Sequence, residues 1–283
     1  WQRCYERLIA EGHDLSAYDV AAAAADVADL QMAMGLDAIN VIGVSYGTPV
    51  LMELLREHGD GIRAVILDSI NPPEVNYYGE QLKSFTTALN AVFAACAGDP
   101  ACAETYPDFE ADLYAVAAKL RDEPVQVIVE QESGSADVTV DDLMFVNFVY
   151  DTIFVGGNYA GLPAAIDAVA DGDYTAVAQR WLNRVSGRHG PSGPGPGAWR
   201  WGLGVCDYWQ VTPLEPNTAI TPVASDVPTL MLTGTFDPAM QPYFSAEAAE
   251  RFTNRFYYEL PSGHALELTG CGVELIAHFL ADP

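Results

Sequence analysis

The pentapeptide Gly43-Val44-Ser45-Tyr46-Gly47 directly follows the apolar run Ile39-Asn40-Val41-Ile42, and no other stretch so narrows what the chain can become. The β-branched run reads as a strand, and the residues after the pentapeptide, with Val50, Leu51, Leu54 and Leu55, have helical spacing. Ser45 therefore sits on a sharp turn between a strand and a helix. Such a turn strains the serine backbone and lifts its hydroxyl to the helix N-terminus, where the dipole and free N–H groups favour developing negative charge. Both flanking glycines are expected to be needed, because β-carbons there would meet the neighbouring strand and helix. The five-residue pattern alone arises by chance in roughly one chain in ten of this length. The strand before it and the helix after it are what make Ser45 a candidate nucleophile rather than a structural turn.

A serine nucleophile needs a base, and the base needs an orienting carboxylate. His264 lies in Pro261-Ser262-Gly263-His264, a loop directly after the strand signal at 255–260, where a side chain can reach the C-terminal edge of a parallel sheet. His13, His58 and His189 stand in polar or loop contexts and His278 on the last helix, and all four read as surface or packing residues. Asp237, in Gly234-Thr235-Phe236-Asp237-Pro238, follows another strand signal at 229–233 and is the preferred acid. Asp68, which ends the strand at 62–67, is its rival, with a turn-capping role as the structural reading. The chain order serine, acid, histidine separates this arrangement from the two other serine-protease orders.

The chain's 283 residues, half of them apolar, suit one large α/β domain or a core with a sizeable insertion. No run approaches a membrane span. Thirteen basic against 39 acidic residues give a net charge of −26, which repels nucleic acid and anionic membrane and reads chiefly as a solvated acidic surface. Cys96 and Cys102 bracket Ala-Gly-Asp-Pro-Ala, a turn-forming spacer able to close a disulfide loop, and a bond there implies an exported, extracellular or periplasmic protein. Cys4, Cys206 and Cys271 remain, an odd number. No His-Glu-x-x-His or paired-cysteine motif occurs, so neither metal nor other cofactor is expected.

Helices are expected at 1–11 and 19–34, strands at 38–44 and 62–67, and a mostly helical region from about 77 to 209 interrupted by a small hairpin at 125–129 and 138–140. The stretch 187–197, with Pro191, Pro194 and Pro196, reads as a connecting loop. A strand at 229–233, a helix at 245–252, a strand at 255–260 and a helix at 273–280 close the chain. The division that results is an α/β core at 1–75 and 222–283 with a helical cap at 76–221.

Several segments together resemble the α/β-hydrolases of the tripeptidyl and prolyl aminopeptidase type. They are Asp14-Leu15-Ser16-Ala17-Tyr18, the Ser45 pentapeptide with Thr48, Val65-Ile66-Leu67-Asp68-Ser69 before Pro72-Pro73, the Cys96/Cys102 pair, Cys206-Asp207, the Asp237 loop and the His264 loop. The resemblance implies a bacterial exported serine hydrolase that releases single residues or short peptides from free N-termini, with Ser45, Asp237 and His264 as its triad and a helical cap over the site. A peptide substrate with a free N-terminus needs a carboxylate for its ammonium group, for which Asp207, beside Tyr208 and Trp209, is the candidate, with Glu215 behind it. Trp199 and Trp201, with Tyr208 and Trp209, are candidates to line an apolar pocket or to pack the cap onto the core. A carboxylesterase on small esters is the alternative reading.

The same resemblance implies four strands ahead of the Ser45 strand and a His-Gly-Gly-Pro-Gly type loop supplying one oxyanion donor; the Tyr46 N–H is the other. Only two helices precede Ser45 here, and residue 1 is Trp. The Ser45 strand is therefore expected to present an open edge. The chain is expected to be a piece of a longer enzyme, or to have that edge covered by a second copy or a complementing N-terminal chain, with Cys4 the orphan of a lost partner. A catalytically weak remnant or binding module is the third reading.

Overall fold

The computed structural model describes residues 2–131, 134–154, 158–186, 209, 211 and 220–283. Helices α1 (Gln2–Ala10) and α2 (Val20–Ala33) precede strand β1 (Ile39–Val44), and α3 (Gly47–Glu57) leads to β2 (Ile62–Asp68). There follow α4 (Tyr77–Gly98), α5 (Pro100–Thr105), α6 (Phe109–Asp122), the pair β3 (Val125–Gln131) and β4 (Gly134–Val140), α7 (Asp142–Phe154), α8 (Leu162–Ala170) and α9 (Thr175–Val185). The chain closes with β5 (Thr229–Gly234), α10 (Pro242–Ala249), β6 (Arg255–Leu260) and α11 (Gly270–Ala281). The loop expected at 187–197 lies outside the described residues.

Strands β1, β2, β5 and β6 form one parallel sheet in the order β1-β2-β5-β6, and β3 and β4 pair as an antiparallel hairpin. Alternation along the strands sorts the core into two faces. Ile62, Val65 and Leu67 of β2 and Met231 of β5 pack with Leu51, Leu54, Ala248 and Phe252 on one side. Ala64 and Ile66 of β2 and Leu230 and Leu232 of β5 pack with Leu266 and Phe279 on the other. β1 is an edge strand, as expected, and its Ile42 is 50% exposed.

The helical insertion between β2 and β5 has its own apolar cluster, from Phe85 and Leu89 of α4 through Leu113 and Leu120 of α6 to Phe145, Tyr150 and Ile153 of α7. The cluster also takes in Phe236, Ala239 and Met240 from the loop after β5, so the insertion packs directly on the segment that carries Asp237. Asp151 of α7, buried, accepts both 3.0 Å hydrogen bonds from one Arg184 nitrogen, and Arg180 donates to the Asp151 carbonyl at 3.0 Å. A buried carboxylate needs such partners, and they tie α9 to α7.

Two local expectations shift. The spacer between Cys96 and Cys102 is not only a turn: Asp99 Oδ1 accepts the N–H groups of Ala101 and Cys102 at 2.9 and 3.0 Å, and Pro100 opens α5, the arrangement a helix start favours. Helix α10 begins at Pro242, three residues ahead of expectation, because proline suits the first helical position; it has no side-chain cap. Cys96 and Cys102 are bonded, with Cα atoms 5.2 Å apart, and Cys4 and Cys271 are free and exposed. Cys206 lies outside the described residues.

A bond across so short a loop restrains the unfolded chain by about 2 kcal/mol. Replacing Cys96 and Cys102 by Ser is expected to lower the urea unfolding free energy by about that amount. An unchanged midpoint and slope would show that α5 holds its place without the bond.

Candidate active site

In a parallel sheet all C-terminal strand ends share one edge, and this edge carries the candidate nucleophile, the candidate base and both candidate acids. Ser45 leaves β1, Asp68 ends β2, Asp237 leaves β5 and His264 leaves β6.

Asp237 and His264 are brought together. His264 Nδ1 and Asp237 Oδ2 are 2.7 Å apart, with Asp237 fully buried and His264 4% exposed. Asp237 Oδ1 accepts the N–H groups of Ala239 and Met240 at 2.8 and 2.9 Å, and Gln241 Nε2 donates to the Asp237 carbonyl. With both carboxylate oxygens engaged, the network assigns the histidine proton to Nδ1 and leaves Nε2 as the proton acceptor. Asp68, the rival acid, instead accepts from Ser69 Oγ at 3.0 Å and from the Glu267 N–H at 2.7 Å.

The insertion completes the histidine's setting. The His264 N–H donates to the Phe154 carbonyl at 2.5 Å, and the Phe154 ring stacks on the imidazole with centroids 4.4 Å apart and planes at 18°. Gly263 permits this approach: a Cβ there would stand 2.1 Å from the Ile153 carbonyl oxygen. The C-terminus of α7 is thus a wall of the site. Nothing in the sequence marks Phe154 for this part, since it continues the apolar spacing of α7.

Burial pulls the His264 imidazole down from its ordinary pKa, but the charge and hydrogen bond of Asp237, joined by the charges of Asp68 and Glu267, outweigh it, and the net shift is upward.

Ser45 has φ 55°, the strained geometry expected of it, and its N–H donates to the Asp68 carbonyl at 2.9 Å. Its carbonyl accepts from the Thr48 N–H at 2.9 Å and from Thr48 Oγ1 at 2.7 Å. Among the described residues Ser45 Oγ makes no hydrogen bond, so the acid–imidazole pair is formed and the serine stands apart from it. Tyr46, 64% exposed, is the N-cap position of α3, which puts its N–H among the free donors of a helix start. The glycine argument holds on one side only. A Cβ on Gly43 would lie 2.6 Å from the Gly47 carbonyl oxygen, whereas a Cβ on Gly47 would meet nothing within 4 Å.

Asp207, Tyr208, Glu215, Trp199 and Trp201 lie outside the described residues. Trp209 meets Tyr5 of α1 edge-on at 5.9 Å and borders a cavity of about 400 Å³ with Leu8, Leu15 and Tyr18. A larger cavity, about 570 Å³, lies beside the acid loop between Phe236 and Pro261 on one side and Val92, Tyr106 and Tyr159 on the other. Among the described residues no group of three or more His, Cys, Asp or Glu side chains is placed to hold a metal. His13 faces Glu11 at 3.5 Å, and His58 is the C-cap of α3.

The family described as alpha/beta hydrolase fold matches residues 5–127, and that described as TAP-like protein matches residues 197–283. No curated protein matches the sequence. Among solved structures the chain is similar to a putative non-heme bromoperoxidase, BpoC, from Mycobacterium tuberculosis H37Rv (18% identity, TM-score 0.44, covering 95% of this chain and 76% of that one). It is also similar to an esterase from Exiguobacterium antarcticum (11%, 0.41, 93% and 75%) and to the hydrolase olei00960 from Oleispira antarctica (13%, 0.42, 94% and 73%).

Two outcomes are expected of this geometry. An NMR titration of the His264 ring should give a midpoint above the ordinary value of about 6.5, and Asp237→Asn should lower it; a wild-type midpoint at or below 6.5 contradicts the pairing. Gly43→Ala should destabilise by about 1–3 kcal/mol, while Gly47→Ala should stay within about 0.5 kcal/mol, both read from chemical unfolding.

Proposed function

Because the chain belongs to the α/β-hydrolases of the tripeptidyl aminopeptidase-like family, we propose that it is a serine hydrolase transferring acyl groups to water, with Ser45 as nucleophile, His264 as general base and acid, and Asp237 as the carboxylate that orients it. The observation that carries this reading is the buried 2.7 Å contact between Asp237 and His264 on the sheet edge where Ser45 is held at positive φ.

In the first half-reaction Ser45 Oγ attacks the substrate carbonyl while His264 Nε2 takes the hydroxyl proton. The tetrahedral oxyanion is met by the Tyr46 N–H and the N-terminal dipole of α3. The imidazolium, stabilised by Asp237, then gives its proton to the leaving amine or alcohol, and an acyl-serine remains. Water repeats the sequence against that ester, with His264 again taking and returning the proton, and free Ser45 is regenerated. Approach of Ser45 Oγ to Nε2 on substrate binding belongs to this reading, since such hydrogen bonds tighten in the complex.

For substrate we favour short peptides with free N-termini, with Asp207, Tyr208 and Trp209 as the groups receiving the amine and the first side chain. The TAP-like match over residues 197–283, which contains all three, supports this choice. The net charge of −26 favours cationic over anionic substrates. Export to an oxidising compartment is part of this reading, and the Cys96–Cys102 bond supports it. Among the described residues no helix is long and apolar enough to cross a membrane.

A fluorophosphonate probe is expected to label the wild type but not Ser45→Ala, and Asp237→Asn should lower kcat by about 10³–10⁴. Folded wild type that takes no label would leave a non-catalytic binding module. Between substrates, Ala-Ala-Phe and Pro chromogenic amides should be cleaved; turnover of p-nitrophenyl butyrate with no amide cleavage would make the enzyme a carboxylesterase.

A further inference from the structure

Three non-glycine residues among those described have positive φ: Ser45 (55°), Ser69 (52°) and Ala265 (64°). Left-handed backbone at non-glycine residues persists only where surrounding bonds overdetermine it. All three meet at one dipeptide. The Ser45 N–H donates to the Asp68 carbonyl at 2.9 Å, and Ser69 is itself strained, its N–H donating to the Leu232 carbonyl at 3.0 Å. The Ala265 N–H, next to His264, donates to Ser69 Oγ at 2.8 Å, and the Glu267 N–H donates to Asp68 Oδ2 at 2.7 Å. Ser69 Oγ in turn donates to Asp68 Oδ1 at 3.0 Å. Thr48 adds a brace from the other side, donating to the Ser45 carbonyl while accepting the Asn71 N–H at 2.9 Å.

The Glu267 N–H holds that residue against the Asp68 carboxyl, and the Glu267 Oε2 is buried with no hydrogen-bond donor among the described residues. Asp68 is fully buried. Two neighbouring carboxylates out of water repel, whereas one proton shared between them turns repulsion into a hydrogen bond.

We propose that Asp68, Ser69 and Glu267 are positioning residues: a clamp, closed by one proton held between the two carboxyl groups, that fixes the Ser45 turn and the His264 loop in register. Other titratable groups facing the pair are His264 and, behind it, Asp237; the neighbouring strands contribute Val44 and Leu232 at the register of Asp68 and no charge. Burial, followed by the Glu267 carboxyl, pushes the Asp68 carboxyl up to about 8. The clamp is therefore closed at neutral pH and opens in mild alkali.

The sign for stability follows from the same shift. With a folded value above the unfolded one, the stabilisation from the Asp68 proton is fully present below about 4 and is lost as pH rises through about 8. Asp68→Asn and Glu267→Gln keep a neutral donor in the pair at every pH. Asp68→Asn removes the titration and should lose no stability in that window, whereas Glu267→Gln leaves Asp68 buried and should lose less than the wild type.

The proposal rests on the hydrolase reading only for its kinetic readout, so two measurements are paired. Fluorophosphonate labelling of the wild type should slow above pH 8, by about tenfold one unit past the midpoint if only the closed clamp reacts, and Asp68→Asn should abolish that fall. Thermal midpoints from pH 5 to 9 should show Asp68→Asn gaining on the wild type as pH rises. If Asp68→Asn does not fold, Glu267→Gln is expected to weaken both pH dependences, because its amide can donate to the Asp68 carboxylate and one of the groups that raise Asp68 is gone. An alkaline fall that persists undiminished in the folded variant, or a midpoint difference that does not grow with pH, overturns the clamp. Absence of labelling at every pH rejects the hydrolase reading instead and leaves the thermal comparison to decide on the pair.

Discussion

Asp237 is a carboxylate with no access to water, and such a group survives in a fold only when its oxygens are met by donors. Three meet it: two backbone N–H groups from the turn it begins and the Nδ1 of His264, 27 positions further on. That requirement governs the surrounding structure. The loops after β5 and β6 must approach closely, which glycine allows, since a Cβ on Gly234 would lie 2.1 Å from the Gly263 carbonyl oxygen. The backbone of α7 must then come down on the His264 loop. Sheet order, loop composition and the seating of the insertion are all conditions for one hydrogen bond.

The insertion is accordingly part of the site's foundation as well as its cover. Its apolar cluster includes Phe236, Ala239 and Met240, and the stack of Tyr150, Phe154 and His264 continues it to the imidazole, with centroid distances of 5.5 and 4.4 Å. Apolar packing on one face and Asp237 on the edge leave the imidazole one way to lie. A change deep in α7 therefore reaches the His264 imidazole through contact.

The strands were legible as short apolar runs bounded by turn residues, and β6 at Arg255–Leu260, an exposed edge strand without β-branched residues, was read to the residue. The strained backbone of Ser45 and the place of His264 after β6 were legible because a Gly-x-Ser-x-Gly turn and a post-strand glycine-histidine pair are local patterns. Asp237 was preferred over Asp68 on position alone, and the structure pairs Asp237 with the imidazole while giving Asp68 other partners. What escaped was relational. The joint part played by Asp68, Ser69 and Glu267 depends on β2 lying between β1 and β5, and nothing at position 267 announces a neighbour at position 68. The need for Gly47 was overread, since a five-residue pattern cannot say which of its glycines is crowded. Helix α5 was missed because Asp-Pro reads as a turn until the N–H groups that follow it are seen to be capped.

The most direct measurement is a crystal structure of the protein after reaction with a fluorophosphonate. The expected adduct has phosphorus bonded to Ser45 Oγ, a phosphonyl oxygen at the Tyr46 N–H, and His264 Nε2 about 3 Å from an oxygen on that phosphorus, with the Asp237 contact intact. Phosphorus on any other residue, or on Ser45 with His264 turned away and held by a different acid, would contradict it.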